Sequence, residues 1–321
     1  MTLLYYDPCF LEHDTGPHPE SAARLERIVA HLAERGLSQR CATPAWEAAT
    51  DEALALVHDP RHVAATRQYA ARGGGRIEVD TVLGRQSFAA ASRAAGAAAD
   101  AVRRVVAGED TQAICLVRPP GHHALPGAPM GFCLLNNVAL AARTAIRRLG
   151  LDQVLIVDWD VHHGNGTQEV FWQDNQVGFL SIHRWPFYPG TGDRHETGAG
   201  RGLGTTRNLP VRFGTPRRDY LSLFAKEVEA FAARIRPQLL LISAGFDSHR
   251  LDPIGSLGLE TEDFATLTDM VLDVAQAHCG GRCVSVLEGG YNLEMLPLCA
   301  AQHLGRLLER QPPAPGRGVE P

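Results

Sequence analysis

Lysine is almost missing from this 321-residue chain: Lys226 is the only one, and arginine carries nearly all the positive charge. With 31 basic and 36 acidic residues the formal net charge is −5 and the isoelectric point near 6.3. That balance argues against a nucleic-acid-binding surface. No apolar run reaches the about 18 residues that a membrane span needs. The start, Met1-Thr-Leu-Leu-Tyr-Tyr-Asp7, has neither a basic n-region nor a small-residue cleavage site, so a signal peptide is not expected. The seven cysteines, at positions 9, 41, 115, 133, 279, 283 and 299, contain no CxxC pair. An odd count without framework spacing fits reduced thiols in a cytoplasm. Cys279 and Cys283 have no second pair to complete a structural zinc site. Gly73-Gly74-Gly75 lacks the Gly-Lys-Ser/Thr ending of a phosphate loop, and no serine or cysteine nucleophile stands beside a base.

What is present is 45% hydrophobic and falls into alternating apolar runs and helical periods. Strands are expected at Met1–Asp7, Ile114–Val117, Val154–Asp158, Val177–His183, from Leu239 and from Cys283. Helices are expected over Glu20–Arg35 (opened by Pro19), Gln86–Ala107, Asn137–Leu149, Asp219–Arg234, Glu262–Ala277 and Glu294–Glu309. Residues 37–80 read as short helices and loops, 185–204 as a long glycine-rich loop, and the Pro- and Gly-rich segment 311–321 as a disordered tail. The alternation predicts one α/β domain, residues 1–310, built on a parallel sheet with helices on both faces.

The chemistry collects where apolar strands end. In Asp158-Trp-Asp160-Val-His162-His163-Gly-Asn165, alternate side chains project together, so two carboxylates and an imidazole share one side of a strand end. Burying them without a cation is costly, which points to a metal. Asp160 and His162, with Asp247 from another strand end, make three ligands with room for a reactant, the pattern of a catalytic zinc; iron, cobalt or manganese suit the same donors. His122-His123 follows Pro119-Pro120-Gly121 and can present two imidazoles that titrate near neutrality. Asp158 and Asn165 are candidate partners for these rings, and Tyr291, after Gly289-Gly290, offers a phenol to an oxyanion. His13, Asp14 and His18 suit either a ligand or a turn, and nothing marks Cys133 as activated. Metal, water, paired histidines and a phenol are equipment for hydrolysing an amide.

Six segments in order carry a resemblance to the zinc-dependent histone deacetylase and acetylpolyamine amidohydrolase superfamily, on the arginase-like α/β fold. They are Arg118-Pro-Pro-Gly-His-His-Ala124, Gly131-Phe-Cys133 with Asn136-Asn137, Asp158–Thr167, Tyr188-Pro-Gly-Thr-Gly192, Ser243–His249 with Asp252-Pro253, and Leu287-Glu-Gly-Gly-Tyr-Asn292. The resemblance runs from the first strand to about residue 305. It implies a sheet of about eight parallel strands and a hydrolase removing acetyl or short acyl groups from lysine-like amines. It implies zinc on Asp160, His162 and Asp247, with His123 as general base and acid, His122 as electrostatic helper paired with Asp158, and Tyr291 as oxyanion donor. Gly131, Phe132 and Tyr188 would line an acyl tunnel, Asp80 would grip substrate at the rim, and Ile254 would face that rim. A potassium ion would sit at Asp158, Asp160, His162, Ser181 and Ile182, and a peripheral cation near Phe171. Asn165, where one branch has aspartate, resembles the class II branch and its bacterial relatives; Tyr188 stands where phenylalanine is common. Acyl-lysine peptides and acetylpolyamines are the alternative substrates, self-association stays open, and the rivals are a two-manganese ureohydrolase and a silent acyl-ligand-binding member.

Overall fold

The apolar runs fold as a seven-stranded sheet in which every neighbouring pair is parallel. The computed structural model describes residues 2–310, so the expected tail at 311–321 lies outside the described residues. The strands are β1 (Leu3–Tyr5), β2 (Gly75–Arg76), β3 (Val82–Leu83), β4 (Gln112–Cys115), β5 (Val154–Asp158), β6 (Val177–Arg184), β7 (Thr206–Val211), β8 (Leu239–Ala244) and β9 (Cys283–Leu287). Their order in the main sheet is β1-β4-β9-β8-β5-β6-β7, while β2 and β3 form a separate antiparallel pair. Every residue of β4, β5, β8 and β9 is buried, as expected of strands covered on both faces.

Among the described residues the sheet has seven strands rather than about eight, and β7 falls where the sequence predicts no strand. Strand β7 carries Pro210, which cannot donate to a ladder, and it is tolerated because β7 is an edge strand.

Helices α1 (Ala22–Glu34), α2 (Asp51–Leu54), α3 (Pro60–Ala71), α4 (Ser87–Ala107), α5 (Asn137–Arg147), α6 (Asn165–Phe171), α7 (Arg217–Ile235), α8 (Asp263–Cys279) and α9 (Met295–Glu309) cover the sheet. The alanine-rich α4 lies against α5, since small side chains let two helices approach closely. Helix α1 starts two residues later than expected, with Ser21 as its N-cap rather than opening at Pro19. The cause is Glu20, whose carboxylate turns into the core to meet Arg118 and Arg24. Among the described residues no helix is long and apolar enough to cross a membrane. All seven cysteines are free thiols.

Candidate active site

The polar clusters follow β4, β9, β8 and β5, which are consecutive in the sheet, so their carboxyl ends open on one place. There Asp160, His162 and Asp247 are buried, with a ligand atom from each within 4.8 Å of the others. His162 Nδ1 lies 3.0 Å from Asp160 Oδ1 and 3.2 Å from Asp247 Oδ2. Backbone groups hold both carboxylates: Gly289 N–H donates to Asp160 Oδ2 at 2.8 Å, and Val161 N–H to Asp247 Oδ1 at 2.9 Å. Gly289 must be glycine for this approach, because a Cβ there would lie 2.1 Å from Asp247 Oδ2.

Asp247 Oδ2 is fully buried and, among the described residues, no group hydrogen-bonds to it, although His162 Nδ1 lies 3.2 Å away. An orphaned carboxylate oxygen is expensive unless something cationic completes it. Burial and the neighbouring Asp160 push the Asp247 carboxyl up to about 7. Burial opposes charge on His162, yet Asp160 and Asp247 push it up to about 9. By themselves, then, the three side chains draw in positive charge. Two carboxylates and an imidazole, converging with one oxygen unspent, fit a divalent cation.

The tandem histidines sit over this trio. Their ring centroids are 4.0 Å apart, and His123 lies 5.8 Å from His162. His122 Nδ1 faces Asp158 Oδ2 at 3.0 Å, and His123 Nδ1 faces Asn165 Oδ1 at 2.7 Å. Burial opposes charge on His122, but Asp160 and Asp158 outweigh it and push the ring up to about 10. Burial, with His122 and His162 nearby, holds His123 well below the usual histidine range. Of the two rings, His122 is held toward its charged form and His123 toward its neutral form.

Tyr291 packs edge-on against Phe132, centroids 5.7 Å apart, with the Arg24 guanidinium over its ring. Burial pushes its phenol well up, so it keeps its proton and remains a donor. Phe132 has φ of 68°, strained for a non-glycine residue, beside Gly131 at 55°. The strain is held by Thr81 Oγ1, which accepts the Phe132 N–H at 3.1 Å, and by the His18 ring packed edge-on at 4.6 Å. A Cβ on Gly131 would lie 2.4 Å from the His123 ring, so glycine is required there. Tyr188 stands edge-on to His123 at 5.3 Å, partly exposed. Asp80 sits between β2 and β3, and with burial it helps push the Tyr188 phenol up, so the two are neighbours. The Ile254 N–H donates to Asp252 Oδ1 at 2.9 Å, and the Tyr291 N–H to Asp252 Oδ2 at 2.7 Å, which brings the loop of Ile254 beside Tyr291. Ser181 pairs with Asp158 across β5 and β6, and Ile182 follows it, both buried.

Several residues around the site are not singled out by the sequence. Glu20 is bound by Arg118 and Arg24 and approached by His13 Nε2 at 3.4 Å; His13 is therefore structural. Arg24 donates to the carbonyls of Glu288 and Gly290, pinning the Gly-Gly-Tyr turn. Phe187 stacks on His162 at 5.2 Å. Glu288, at the end of β9, takes the N–H groups of Gly121 and His122. The Cys133 thiol is pushed well up by burial and is not activated.

Residues 18–307 match the model of the histone deacetylase domain. The chain belongs to the histone deacetylase family. It is 35% identical to a histone deacetylase-like amidohydrolase of Pseudomonas aeruginosa, over 93% of this chain and 83% of that one. It is 39% identical to the human polyamine deacetylase HDAC10, over 98% of this chain but 47% of the relative. The crystal structure of the HDA15 HD domain superposes with a TM-score of 0.90 at 37% identity, covering 98% of this chain and 90% of that one. The expected single α/β domain and family membership are thus both found, and the chain is an enzyme of the deacetylase and amidohydrolase type.

Proposed function

We propose that the enzyme hydrolyses the amide of acetyl or short-acyl groups on lysine-like amines, with zinc held by Asp160, His162 and Asp247. The observation that carries this reading is the unspent Asp247 oxygen, converging with Asp160 and His162 beneath the tandem histidines. Zinc bound there would supply Lewis acidity to the amide carbonyl and to a water. His123, kept neutral, is placed to take a proton from an attacking water and to return it to the departing nitrogen. Asn165 Oδ1 accepts the His123 Nδ1–H and so leaves Nε2 to the reaction. Cationic His122, balanced by Asp158, and the protonated phenol of Tyr291 favour the negative charge that develops on the carbonyl oxygen. Breaking the C–N bond releases a carboxylate and a protonated amine. Gly131, Phe132 and Tyr188 line the approach, and Ile254 lends it an apolar side. A potassium ion at Asp158, Asp160, His162, Ser181 and Ile182 would lock β5 to β6 behind this site. A cytoplasmic location suits the seven free thiols.

A second reading within the class is an acetylpolyamine substrate. Burial, then Glu78, raise the Asp80 carboxyl, and both acids act on Tyr188. Such a mouth suits an amine with a second cationic nitrogen. Assaying the metal-loaded protein on acetyl-lysine peptides and acetylated polyamines side by side separates the two. No turnover on either, with zinc bound, would replace hydrolysis by acyl-ligand binding. Tyr291→Phe is expected to lose about a hundredfold or more in kcat while keeping its metal; wild-type turnover in that variant would remove Tyr291 from the reaction.

A further inference from the structure

Glu288 is a buried carboxylate to which the reaction above gives no part. It has no solvent exposure. Its Oε2 accepts the N–H of Gly121 at 2.7 Å and of His122 at 3.1 Å, and Oε1 accepts the Ser243 hydroxyl at 3.1 Å. No arginine or lysine joins these contacts, and burial pushes the carboxyl up to about 7 against the opposing pull of the His122 ring.

What that burial supports is the turn bearing the paired imidazoles. The turn opens on Pro119-Pro120, two residues without an N–H, so it cannot continue the ladder of β4. The next two N–H groups, of Gly121 and His122, both go to one oxygen of Glu288. That carboxyl group is fastened to the neighbouring β8 through Ser243, and its own backbone is tied to Arg24 and Ala244. The turn over the metal ligands is therefore gripped from behind by a side chain of another strand.

We propose that Glu288 is a positioning residue for amide hydrolysis, setting where His122 and His123 stand over Asp160, His162 and Asp247. The inference rests on the reading of the two histidines as the catalytic pair. It assigns Glu288 a steric and hydrogen-bonding role, acting through the backbone of the turn, with no contact to substrate.

The test measures kcat, KM and bound metal for Glu288→Ala, Glu288→Gln and His123→Ala, using whichever acetylated substrate the wild type turns over. Glu288→Ala should lose about ten- to a hundredfold in kcat, the cost of misplacing reacting groups by about 1 Å, with KM and metal content unchanged. Glu288→Gln offers a carbonyl to the two N–H groups and its amide to Ser243, and should recover most of that loss. An Ala variant as fast as wild type, or a Gln variant as slow as Ala, overturns the proposal. Should Glu288→Ala fail to fold, Glu288→Asp replaces it: that shorter acid withdraws the acceptor, and an unchanged kcat there overturns the proposal equally. His123→Ala separates the two readings. Full activity in it would unseat the catalytic histidine itself, whereas an inactive His123→Ala beside a fully active Glu288→Ala removes only the positioning role.

Discussion

Two clusters of buried charge lie close together in this protein, and they are balanced in opposite ways. Around Glu20, two arginines answer one carboxylate: Arg118 Nε and Nη2 at 2.5 and 2.9 Å, Arg24 Nη1 at 3.2 Å. Burial opposes charge on Glu20, but Arg118 more than offsets it and holds the carboxyl well below its usual range. Spare guanidinium N–H groups go to backbone carbonyls of Phe10, His13, Glu288 and Gly290. That cluster is closed. Around Asp160, the side chains that answer three carboxylates are histidines, and Asp247 Oδ2 is left over. Where the chain supplies its own cations, the charge serves the fold. Where it withholds them, the cluster has the composition of a cation site. The two are joined, since Arg24 holds the turn that carries Tyr291.

The contrast breaks most visibly at Asp247. Asp247→Asn should abolish metal binding and cut activity on the order of a thousandfold, because a Lewis acid supplies several kcal/mol to such a reaction. With metal chelated from both proteins, the same substitution should leave the melting temperature level or higher, since it relieves repulsion from Asp160. A marked fall in chelated stability would show the open cluster to be as structural as the closed one.

Glu20→Gln should do the reverse. It leaves Arg118 and Arg24 buried with no carboxylate, a loss of about 3–5 kcal/mol. For a domain this large that lowers the melting temperature by roughly 10 °C. The sign in pH follows from the depressed carboxyl: its stabilisation is complete above the ordinary value of 4.5 and drains away as the pH falls below it. Urea unfolding at pH 7 and pH 4 checks both, because the wild type should weaken over that interval more than Glu20→Gln does.

A smaller effect sharpens the comparison among histidines that face no carboxylate. Burial holds His58 down to about 4 and His303 down to about 3. Both rings must stay neutral in the folded chain and protonate on unfolding, so stability falls as the pH drops from 6.5 toward those values. Each should cost roughly 1–2 kcal/mol at pH 5. Their ring resonances should show no titration between pH 8 and pH 5; a midpoint near 6.5 for either would contradict its burial.

Much of this was readable along the chain because the relevant signals are local. Asp160 and His162 announce themselves as alternate residues at the end of an apolar strand, and Asp247 and Tyr291 as polar groups just past two others. Strand β7 carries no such local signal: a short run containing Pro210 reads as a loop until an edge is available to it. Pro19 points to a helix starting at Glu20, but α1 starts at Ala22, because Arg118, far along the chain, draws Glu20 away.

What the sequence determined by itself was the alternation of strand and helix, and with it the rule that ligands gather at the carboxyl ends of parallel strands. It also determined the donor types that Asp160, His162 and Asp247 bring together. Only the tertiary structure decided which strands stand side by side, so that β4, β9, β8 and β5 deliver four clusters to one opening. It alone decided how each buried charge is answered, because Glu20 with Arg118, or Glu288 with the turn of His122, are partnerships between groups far apart in the chain. Local patterning records which residues a segment contains. The counter-ion of a buried group is a fact about what folding places against it.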